Sequence, residues 1–328
     1  MESRSDDAPH PAIDLERAGA WLGRSLTFDA AVPGGASNFT WYVRVDGAAA
    51  VLRHSPPGRL LPTAHDLARE HRFLVALAGS AIPVPKVLAF CEDPEVAGLP
   101  FLLMDRVAGD CLVRSPLGAR DPERLARAAV ETLAALHAID WRACGLEARA
   151  GSYLERQVVR WDRQLEATPT AARLSGLETI REWLLAHVPP DSAQTIVHGD
   201  FGFHNLLVKG EEISAVLDWE LATIGDPLSD LFGFIKGWGG DAWVPNPANV
   251  VVAEGRGAPD RNTLVRWYER ETGRASGVSR PFYEIFGLWK SIGILEGIHS
   301  RTDGARFTRE VPALVDRVRS MIETLRVR

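Results

Sequence analysis

The first third of the chain alternates short runs of β-branched and aromatic residues with turn residues. Four such runs predict strands: residues 39–45, 49–53, 84–90 and 100–107. The dipeptide Asp46-Gly47 between the first two is a typical hairpin turn. Apolar residues recur at helical spacing over residues 64–78, which predicts an amphipathic helix, and residues 11–23 predict another. This part of the chain therefore predicts a small β-rich lobe with one main helix.

The rest of the chain carries mostly the apolar spacing of helices. Seven segments predict helices: residues 121–139, 153–166, 177–186, 227–235, 263–271, 281–299 and 309–325. Residues 196–218 instead predict short strands around a loop, and residues 239–262, rich in Gly, Pro and Asn, predict a long loop. The sequence thus predicts an α+β fold of two lobes, residues 1–107 and 108–328, with a hinge at residues 104–110.

The composition and net charge exclude several classes of protein. Hydrophobic residues make up 46% of the chain and charged residues 24%, which is typical of a soluble globular protein. No apolar run reaches the roughly 18 residues of a membrane span, and the polar amino terminus lacks the features of a signal peptide, so a cytoplasmic protein is expected. The net charge of −6 argues against nucleic acid as the main partner. Cys91, Cys111 and Cys144 form no CxxC pair, so neither a disulfide framework nor a zinc site is predicted.

One segment concentrates the candidate chemistry. Residues 198–208 have the sequence HGDFGFHNLLV, which places Asp200 and Asn205 on one loop, and Asp218 follows an apolar strand further on. Phosphoryl transfer from ATP uses such a set, because one carboxylate must orient the acceptor hydroxyl and take its proton. An oxygen-bearing pair must also hold Mg²⁺, which prefers hard oxygen ligands. The segment therefore predicts Asp200 as the base and Asn205 with Asp218 as the Mg²⁺ ligands.

This segment resembles the HGDxxxxN motif of the aminoglycoside phosphotransferases and choline kinases, which are similar to protein kinases in fold. Residues 225–231 (GDPLSDL) also resemble that family. The chain looks most like the phosphotransferase domains that are fused to acyl-CoA dehydrogenases. It is similar to them at four further places: Gly34–Asn38, Val51–Arg53 with residues 56–58, Val84-Pro85 and Ile294–Ile298. The resemblance covers residues 30–320 and implies a two-lobe protein-kinase-like fold that transfers the γ-phosphoryl group of ATP, with Mg²⁺, to a small-molecule hydroxyl.

The resemblance also assigns residues on the nucleotide side. In the glycine loop, Gly34, Gly35 and Ser37 are expected to place backbone N–H groups near the phosphates, because glycine permits close approach. Protein kinases carry a phosphate-binding lysine on the third strand, and this chain has Arg53 at that position. Arginine can hold phosphate bidentately, and Glu70 is its predicted ion-pair partner. The departure from lysine leaves the phosphate geometry open.

The predicted hinge, Met104 to Val107, is expected to offer backbone N–H and C=O groups to adenine. This expectation rests on position alone, since any side chain is compatible with it. It places Asp105 and Val107 in the predicted nucleotide site.

Several other polar or aromatic residues near the motif have a structural interpretation. His198 and His204 are expected to brace the loop by hydrogen bonding, and Trp219 to pack in the core. Asp226 and Asp230 are expected to cap or tie the helix that begins near residue 227.

The sequence leaves the phosphoryl acceptor open. Residues 251–328 carry 14 Arg and Lys against 10 Asp and Glu, a net charge of +4 (14 − 10), whereas the whole chain carries −6. This favours an acidic acceptor, such as a hydroxy acid or a hydroxyacyl-CoA, over a polycation. An aminoglycoside-resistance kinase with a locally acidic cleft is one alternative. A nucleotide-binding pseudokinase is an alternative of another class, and Arg53 is the only feature that favours it.

Overall fold

The structure is a computed structural model of the chain. It describes residues 11–32, 38–55, 66–113, 115–190, 193–239, 244, 247–302, 304 and 306–327. These residues form two compact units. The first comprises the described residues within 1–79, 84–108 and 217–221, and the second those within 80–83, 109–216 and 222–328. The division predicted after residue 107 and the hinge predicted at residues 104–110 stay predictions.

A five-stranded antiparallel sheet forms the centre of the first unit, in the order β1-β2-β3-β5-β4. Its strands are β1 (Leu26–Ala31), β2 (Phe39–Val45), β3 (Ala48–His54), β4 (Val87–Cys91) and β5 (Phe101–Asp105). Its helices are α1 (Leu15–Leu22), α2 (Leu67–Leu77) and α3 (Pro94–Ala97). Trp41, Val43 and Val45 alternate into the core from β2, as the pleat of a strand requires. The predicted hairpin at Asp46-Gly47 is confirmed, and both residues have the positive φ of a tight hairpin turn.

Helix α2 begins at a cap and buries one face. The carboxylate of Asp66 accepts a hydrogen bond from the backbone N–H of Arg69 at 2.9 Å, which is N-cap geometry. The buried residues of α2 are Leu67, Glu70, Phe73, Leu74 and Leu77, at the spacing of one helical stripe. Glu70 is therefore a carboxylate on an otherwise apolar face.

The second unit is mainly helical. Its helices are α4 (Pro122–Ala138), α5 (Tyr153–Glu166), α6 (Leu177–Ala186), α7 (Leu228–Ile235), α8 (Pro247–Ala253), α9 (Arg261–Thr272), α10 (Arg280–Arg301) and α11 (Glu310–Val327). The long helix α10 packs against α5, α7 and α11 and lies at the centre of this unit. All seven helices predicted for this part of the chain are present. No described helix is both long and apolar enough to span a bilayer.

Two small antiparallel pairs accompany these helices. Strand β6 (Thr195–Val197) pairs with β9 (Thr223–Gly225), and β7 (Leu206–Lys209) pairs with β8 (Glu212–Val216). The prediction of short strands around a loop is thus confirmed. Residues 198–205 join β6 to β7, so two different pairs hold the ends of the candidate catalytic loop.

The prediction of one uninterrupted loop over residues 239–262 is wrong, because α8 lies within it. The valines of α8 and the surrounding Gly, Pro and Asn residues disfavour a helix locally. Ala248 and Val252, one turn apart, are completely buried, and this burial overrides the local preference. Asn249 of the same helix is buried as well, and its contacts bear on the site described below.

Two glycines of the second unit form a matched pair for testing this packing. A methyl group at Gly225 would lie 2.5 Å from Cδ2 of Tyr153, whereas one at Gly233 of α7 would meet no described atom within 4 Å beyond its own helical turn. Gly225→Ala should lower the free energy of unfolding by about 1–3 kcal/mol through overpacking. Gly233→Ala should raise it by about 0.5–1 kcal/mol, because alanine favours a helix over glycine. Urea unfolding measures both, and a stabilising Gly225→Ala would contradict the packing.

Candidate active site

The first unit contains a buried arginine between two carboxylates. Arg53 lies near the end of β3 and is 8% exposed. Its Nη1 donates to Oε1 of Glu70, and its Nη2 donates to Oδ1 of Asp218 at 3.0 Å. The ion pair predicted between Arg53 and Glu70 is therefore present. Asp218 is a second partner of the guanidinium that the sequence did not indicate.

Negative charge exceeds positive charge in this cluster. Glu220 adds a third carboxylate, whose charge acts on Arg53 and on Glu70. Burial raises the pKa of the Glu70 carboxyl, and the Arg53 guanidinium lowers it. Because Asp218 and Glu220 add further negative charge, the net effect raises the pKa of Glu70 to about 7. One guanidinium thus does not balance three carboxylates, and a further cation would stabilise them.

Three buried polar atoms of the first unit have no hydrogen-bond partner among the described residues: Oδ1 of Asn38, Nε of Arg53 and Oε2 of Glu70. Such atoms are costly unless a ligand or water satisfies them. The excess of negative oxygen fits Mg²⁺, which prefers hard oxygen ligands. In the described part of the chain no three His, Cys, Asp or Glu side chains converge closely enough to hold a metal ion.

Asp218 has an unusual backbone conformation. Its φ of +66° lies in the left-handed region, which residues other than glycine seldom adopt. The next residues form a short 3₁₀-helix, Trp219–Leu221, and the fully buried Trp219 stacks on Phe73 of α2 with ring centroids 6.4 Å apart. The expected packing role of Trp219 is confirmed. Strained conformations persist where the surrounding packing holds them, and they are common at functional sites.

Of the other residues predicted to bind the nucleotide, the structure describes only some. Gly34, Gly35 and Ser37 lie outside the described residues. Asp105 ends β5, and its backbone N–H donates to the carbonyl of Lys86 at 2.9 Å. That N–H is used within the sheet, so a contact of Asp105 with adenine would have to use its carbonyl. Val107 follows in the connecting segment and is half-buried.

In the second unit, one buried carboxylate holds the start of the candidate catalytic loop. Asp230 of α7 is 3% exposed, and it accepts hydrogen bonds from the backbone N–H of His198 at 2.6 Å and of Gly199 at 2.9 Å. At the other end of the loop, Oδ1 of Asn249 accepts from the backbone N–H of Phe203 at 3.0 Å. The loop is therefore anchored from two helices, α7 and α8.

Between these anchors, Asp200 is the centre of a hydrogen-bonded group. Its backbone N–H donates to Nδ1 of His198 at 3.1 Å, and its Oδ2 lies 3.1 Å from Nε2 of His204. Nδ2 of Asn205 donates to the backbone carbonyl of Asp200 at 2.9 Å and to its Oδ2 at 3.2 Å. His198 and His204 thus brace the loop, as expected. Asp200 keeps 37% of its side-chain surface exposed, so it is fixed but accessible.

The surroundings of Asp200 keep it ionised. Burial acts to raise the pKa of its carboxyl. His204 opposes this effect through its charge and its hydrogen bond, and Lys290 and Lys236 contribute positive charge as well. The net pKa lies well below the ordinary value for aspartate. Asp200 is therefore a carboxylate at physiological pH, and it is a weak base.

The amide of Asn205 is oriented by these contacts. Its Nδ2 is directed to Asp200, and the residue is only 8% exposed. Its Oδ1 has no hydrogen-bond donor among the residues that the structure describes. An amide oxygen held in this way is a suitable ligand for a hard cation.

Asp226 caps the following helix and Asp230 ties it to another segment, in agreement with the expectation that each would cap or tie this helix. Oδ1 of Asp226 accepts from the backbone N–H of Leu228 at 2.9 Å, and its Oδ2 accepts from Tyr283 at 3.0 Å. Asp230 binds the candidate catalytic loop, more than thirty residues earlier in the chain. The only sequence feature that singled out Asp230 was its place in the GDPLSDL segment.

Sequence reasoning missed two further groups in the second unit. His137 of α4 joins Asp230 to the buried Tyr268 of α9: its Nε2 lies 3.5 Å from Oδ2 of Asp230 and its Nδ1 lies 2.6 Å from the Tyr268 hydroxyl. Lys236 and Lys290, whose charges act on Asp200, are two of only four lysines in the chain. That rarity was the one signal that the sequence offered for them.

Comparison with known proteins gives a consistent family assignment. The sequence profile of the phosphotransferase enzyme family matches residues 30–274. Among curated proteins, acyl-CoA dehydrogenase family member 10 of Mus musculus is 34% identical over 283 residues, which cover 82% of this chain and 26% of that protein. Family member 11 of Homo sapiens is 34% identical over 276 residues, which cover 81% of this chain and 35% of that protein. The chain thus spans about a quarter to a third of the length of these relatives.

Solved structures share the fold. A putative aminoglycoside phosphotransferase from Ralstonia eutropha has a TM-score of 0.74 and 30% identity, covering 94% of this chain and 96% of its own. The ternary complex of aminoglycoside phosphotransferase APH(4)-Ia with ADP and hygromycin B has a TM-score of 0.64 and 18% identity, covering 94% of this chain and 98% of its own. The predicted α+β, protein-kinase-like fold is confirmed.

The raised pKa of Glu70 gives the folded protein a definite pH dependence. Between the usual value of 4.5 and about 7, the native state holds a proton that the unfolded chain has released. The free energy of unfolding should therefore fall as pH rises through this window. Glu70→Gln cannot titrate and should show a flatter decline, measured by urea unfolding at pH 4.5 to 7. The exposed Glu16→Gln is the control and should keep the wild-type slope, and an equally steep slope in Glu70→Gln would contradict the assignment.

Proposed function

Because this chain belongs to the phosphotransferase enzyme family, we propose that it transfers the γ-phosphoryl group of ATP to a hydroxyl of a small molecule in a Mg²⁺-dependent reaction. The observation that carries the proposal is the condition of Asp200, an accessible carboxylate held ionised on a loop anchored at both ends. Phosphoryl transfer has a loose transition state, so positioning and electrostatics supply most of the catalysis.

In this reaction, Asp200 orients the acceptor hydroxyl and takes its proton. A carboxylate with a lowered pKa is a poor base toward a free alcohol, so its first task is to accept the hydroxyl hydrogen bond and fix the direction of attack. The proton moves to Asp200 once the bond to phosphorus makes the hydroxyl acidic. His204 and Asn205 hold the same carboxylate oxygen, Oδ2, and so fix the carboxylate for this contact.

Arg53 is proposed to hold the nucleotide phosphates. Its guanidinium is kept in place by Glu70 and Asp218, and its Nε has no partner among the described residues. Asn205 and Asp218 are proposed as ligands of Mg²⁺, which when bound would offset negative charge on the phosphates. Gly34, Gly35 and Ser37 keep their proposed place along the phosphates, and the backbone of Asp105 and Val107 keeps its proposed place at adenine.

For the acceptor, we propose a hydroxy acid or a hydroxyacyl-CoA. Residues 251–328 carry more positive than negative charge in an otherwise acidic chain, which favours an acidic molecule. The curated relatives carry acyl-CoA dehydrogenase names, and this chain matches only part of each. An aminoglycoside is the second candidate, since a solved relative at 30% identity is described as a putative aminoglycoside phosphotransferase.

The first test is ADP release with a panel of acceptors at one concentration of Mg²⁺ and ATP. Hydroxy acids or their CoA thioesters should stimulate ADP release above the rate without acceptor, and kanamycin-type drugs should not. Asp200→Asn keeps the shape of the side chain and should lower turnover at least about a hundredfold, because it removes the negative charge that orients the hydroxyl and later takes its proton. Near wild-type turnover in Asp200→Asn would reject its role. No ADP release with any acceptor would favour the pseudokinase, and stimulation by aminoglycosides alone would favour the second candidate.

The second test concerns Mg²⁺. Asp218→Ala removes a charged ligand, so it should reduce the difference in ATP affinity that calorimetry measures with and without Mg²⁺. Asp218→Asn keeps an oxygen ligand but loses the charge, so its difference in ATP affinity should lie between those of the wild type and Asp218→Ala. An unchanged difference in Asp218→Ala would show that Asp218 is not a ligand. Phe73→Leu, at the stacking partner of Trp219, is the control for indirect effects of packing.

A further inference from the structure

Two lysines of the second unit lie on one helix pair. Lys236 directly follows α7, and its Cδ lies 3.9 Å from the position that a Cβ on Gly287 would occupy. This distance is an ordinary van der Waals contact, so the lysine stem packs against α10 at Gly287. Lys290 lies three residues after Gly287, one turn further along the same face of α10. Its Nζ lies 5.9 Å from the ring centroid of Trp161.

Neither lysine has a carboxylate of its own. Both are half-buried, and neither ammonium group has a hydrogen bond or an ion pair with any residue that the structure describes. The negative charges that act on both lysines are those of Asp200 and Asp230. Both of these carboxylates already accept hydrogen bonds from other groups. Asp230 binds the loop backbone, and Asp200 binds His204 and the amide of Asn205.

The electrostatics of the pair reflect this lack of counter-charge. Burial, and then the charge of Lys290, lower the pKa of Lys236 to about 8, while Asp200 and Asp230 act to raise it. Burial lowers the pKa of Lys290 too, with a smaller contribution from Arg160 of α5. Two ammonium groups that are partly removed from water and repel each other are unfavourable unless an anion joins them.

We propose that Lys236 and Lys290 form a recognition site for an anionic group of the phosphoryl acceptor. This inference rests on the proposed function and names the residues that select the acceptor. An acceptor whose hydroxyl meets Asp200 would present its carboxylate or phosphate to the two ammonium groups, which bind as compact point charges. The same pair repels a polycation, so it works against aminoglycosides at this position.

The scarcity of lysine makes a direct binding test possible. A protein carrying isotope-labelled lysine should give four side-chain signals in NMR spectra, from Lys86, Lys209, Lys236 and Lys290. Lactate and β-hydroxybutyrate are the probes, and the diols in which CH₂OH replaces their carboxylate are the controls. We expect the acids to shift the signals of Lys236 and Lys290 while the exposed Lys86 and Lys209 stay unchanged. The bound acid should also raise the pKa of Lys236 above about 8.

Two results of this titration would overturn the inference. One is the absence of any shift at Lys236 and Lys290 up to high acid concentration. The other is an equal shift with the diols, because recognition would then not depend on the negative charge. Since the titration needs no turnover, it tests the anion site even if the proposed phosphotransfer fails.

Kinetics separate anion recognition from support of Asp200. For Lys236→Met and Lys290→Met, we expect the ratio of kcat/KM for a hydroxy acid to that for its diol to fall at least tenfold. The loss should lie mainly in the KM of the acid, and Lys→Arg should restore part of it. Lys209→Met is the control and should keep the wild-type ratio. If acid and diol lose equally, the lysines only keep Asp200 ionised, and the inference fails while the phosphotransferase assignment stands.

The CoA thioester of the same acid distinguishes the two sources of negative charge. In the thioester the carboxylate is gone, and only the phosphates of CoA remain. If the lysine variants lose kcat/KM only with the free acid, the site binds a carboxylate. If they also lose it with the thioester, the site binds a phosphate.

Discussion

One buried carboxylate fixes the start of the candidate catalytic loop. Asp230 accepts two backbone N–H groups at the start of the loop, and these bonds fix the point from which Asp200 projects. A carboxylate in this position would be very costly without donors, and the two N–H groups would be costly without an acceptor, so each satisfies the other. His137 and Tyr268 continue the network behind Asp230. Buried residues of α4, α7 and α9 thus fix the start of the loop, and Asn249 of α8 holds its other end.

The two units carry opposite imbalances of charge. In the first, Arg53 faces more carboxylates than it can neutralise, which suits a metal cation. In the second, the charges of Lys236 and Lys290 act on Asp200, and neither ammonium group has an ion-pair partner among the described residues, which suits an anion. Folding alone does not require either imbalance, since paired charges would be more stable. Each imbalance is explained if a charged ligand brings the missing charge to its own unit.

Much of the fold could be predicted because local signals agreed with tertiary packing. Asp46-Gly47 marked the hairpin, and the stripe on α2 marked a buried face that includes Glu70. The contact between Asp200 and Asn205 could be expected from the sequence, since the two residues are close in the chain. The partners of Asp230 could not, because they lie more than thirty residues away and only tertiary structure brings them together. Helix α8 was missed for a related reason, since burial rather than local preference stabilises it.

The lowered pKa of Asp200 has a consequence for the timing of the proposed reaction. A carboxylate stabilised by His204 and two lysines gains little by taking a proton, so it cannot draw one from an alcohol early in the reaction. In the proposed reaction, we therefore expect cleavage of the hydroxyl O–H bond to lag behind cleavage of the bond from phosphorus to ADP. With the proton still mainly on the acceptor oxygen in the transition state, the rate should be almost the same in heavy water as in ordinary water. Such an enzyme would discriminate acceptors by where they hold their hydroxyl rather than by how acidic that hydroxyl is.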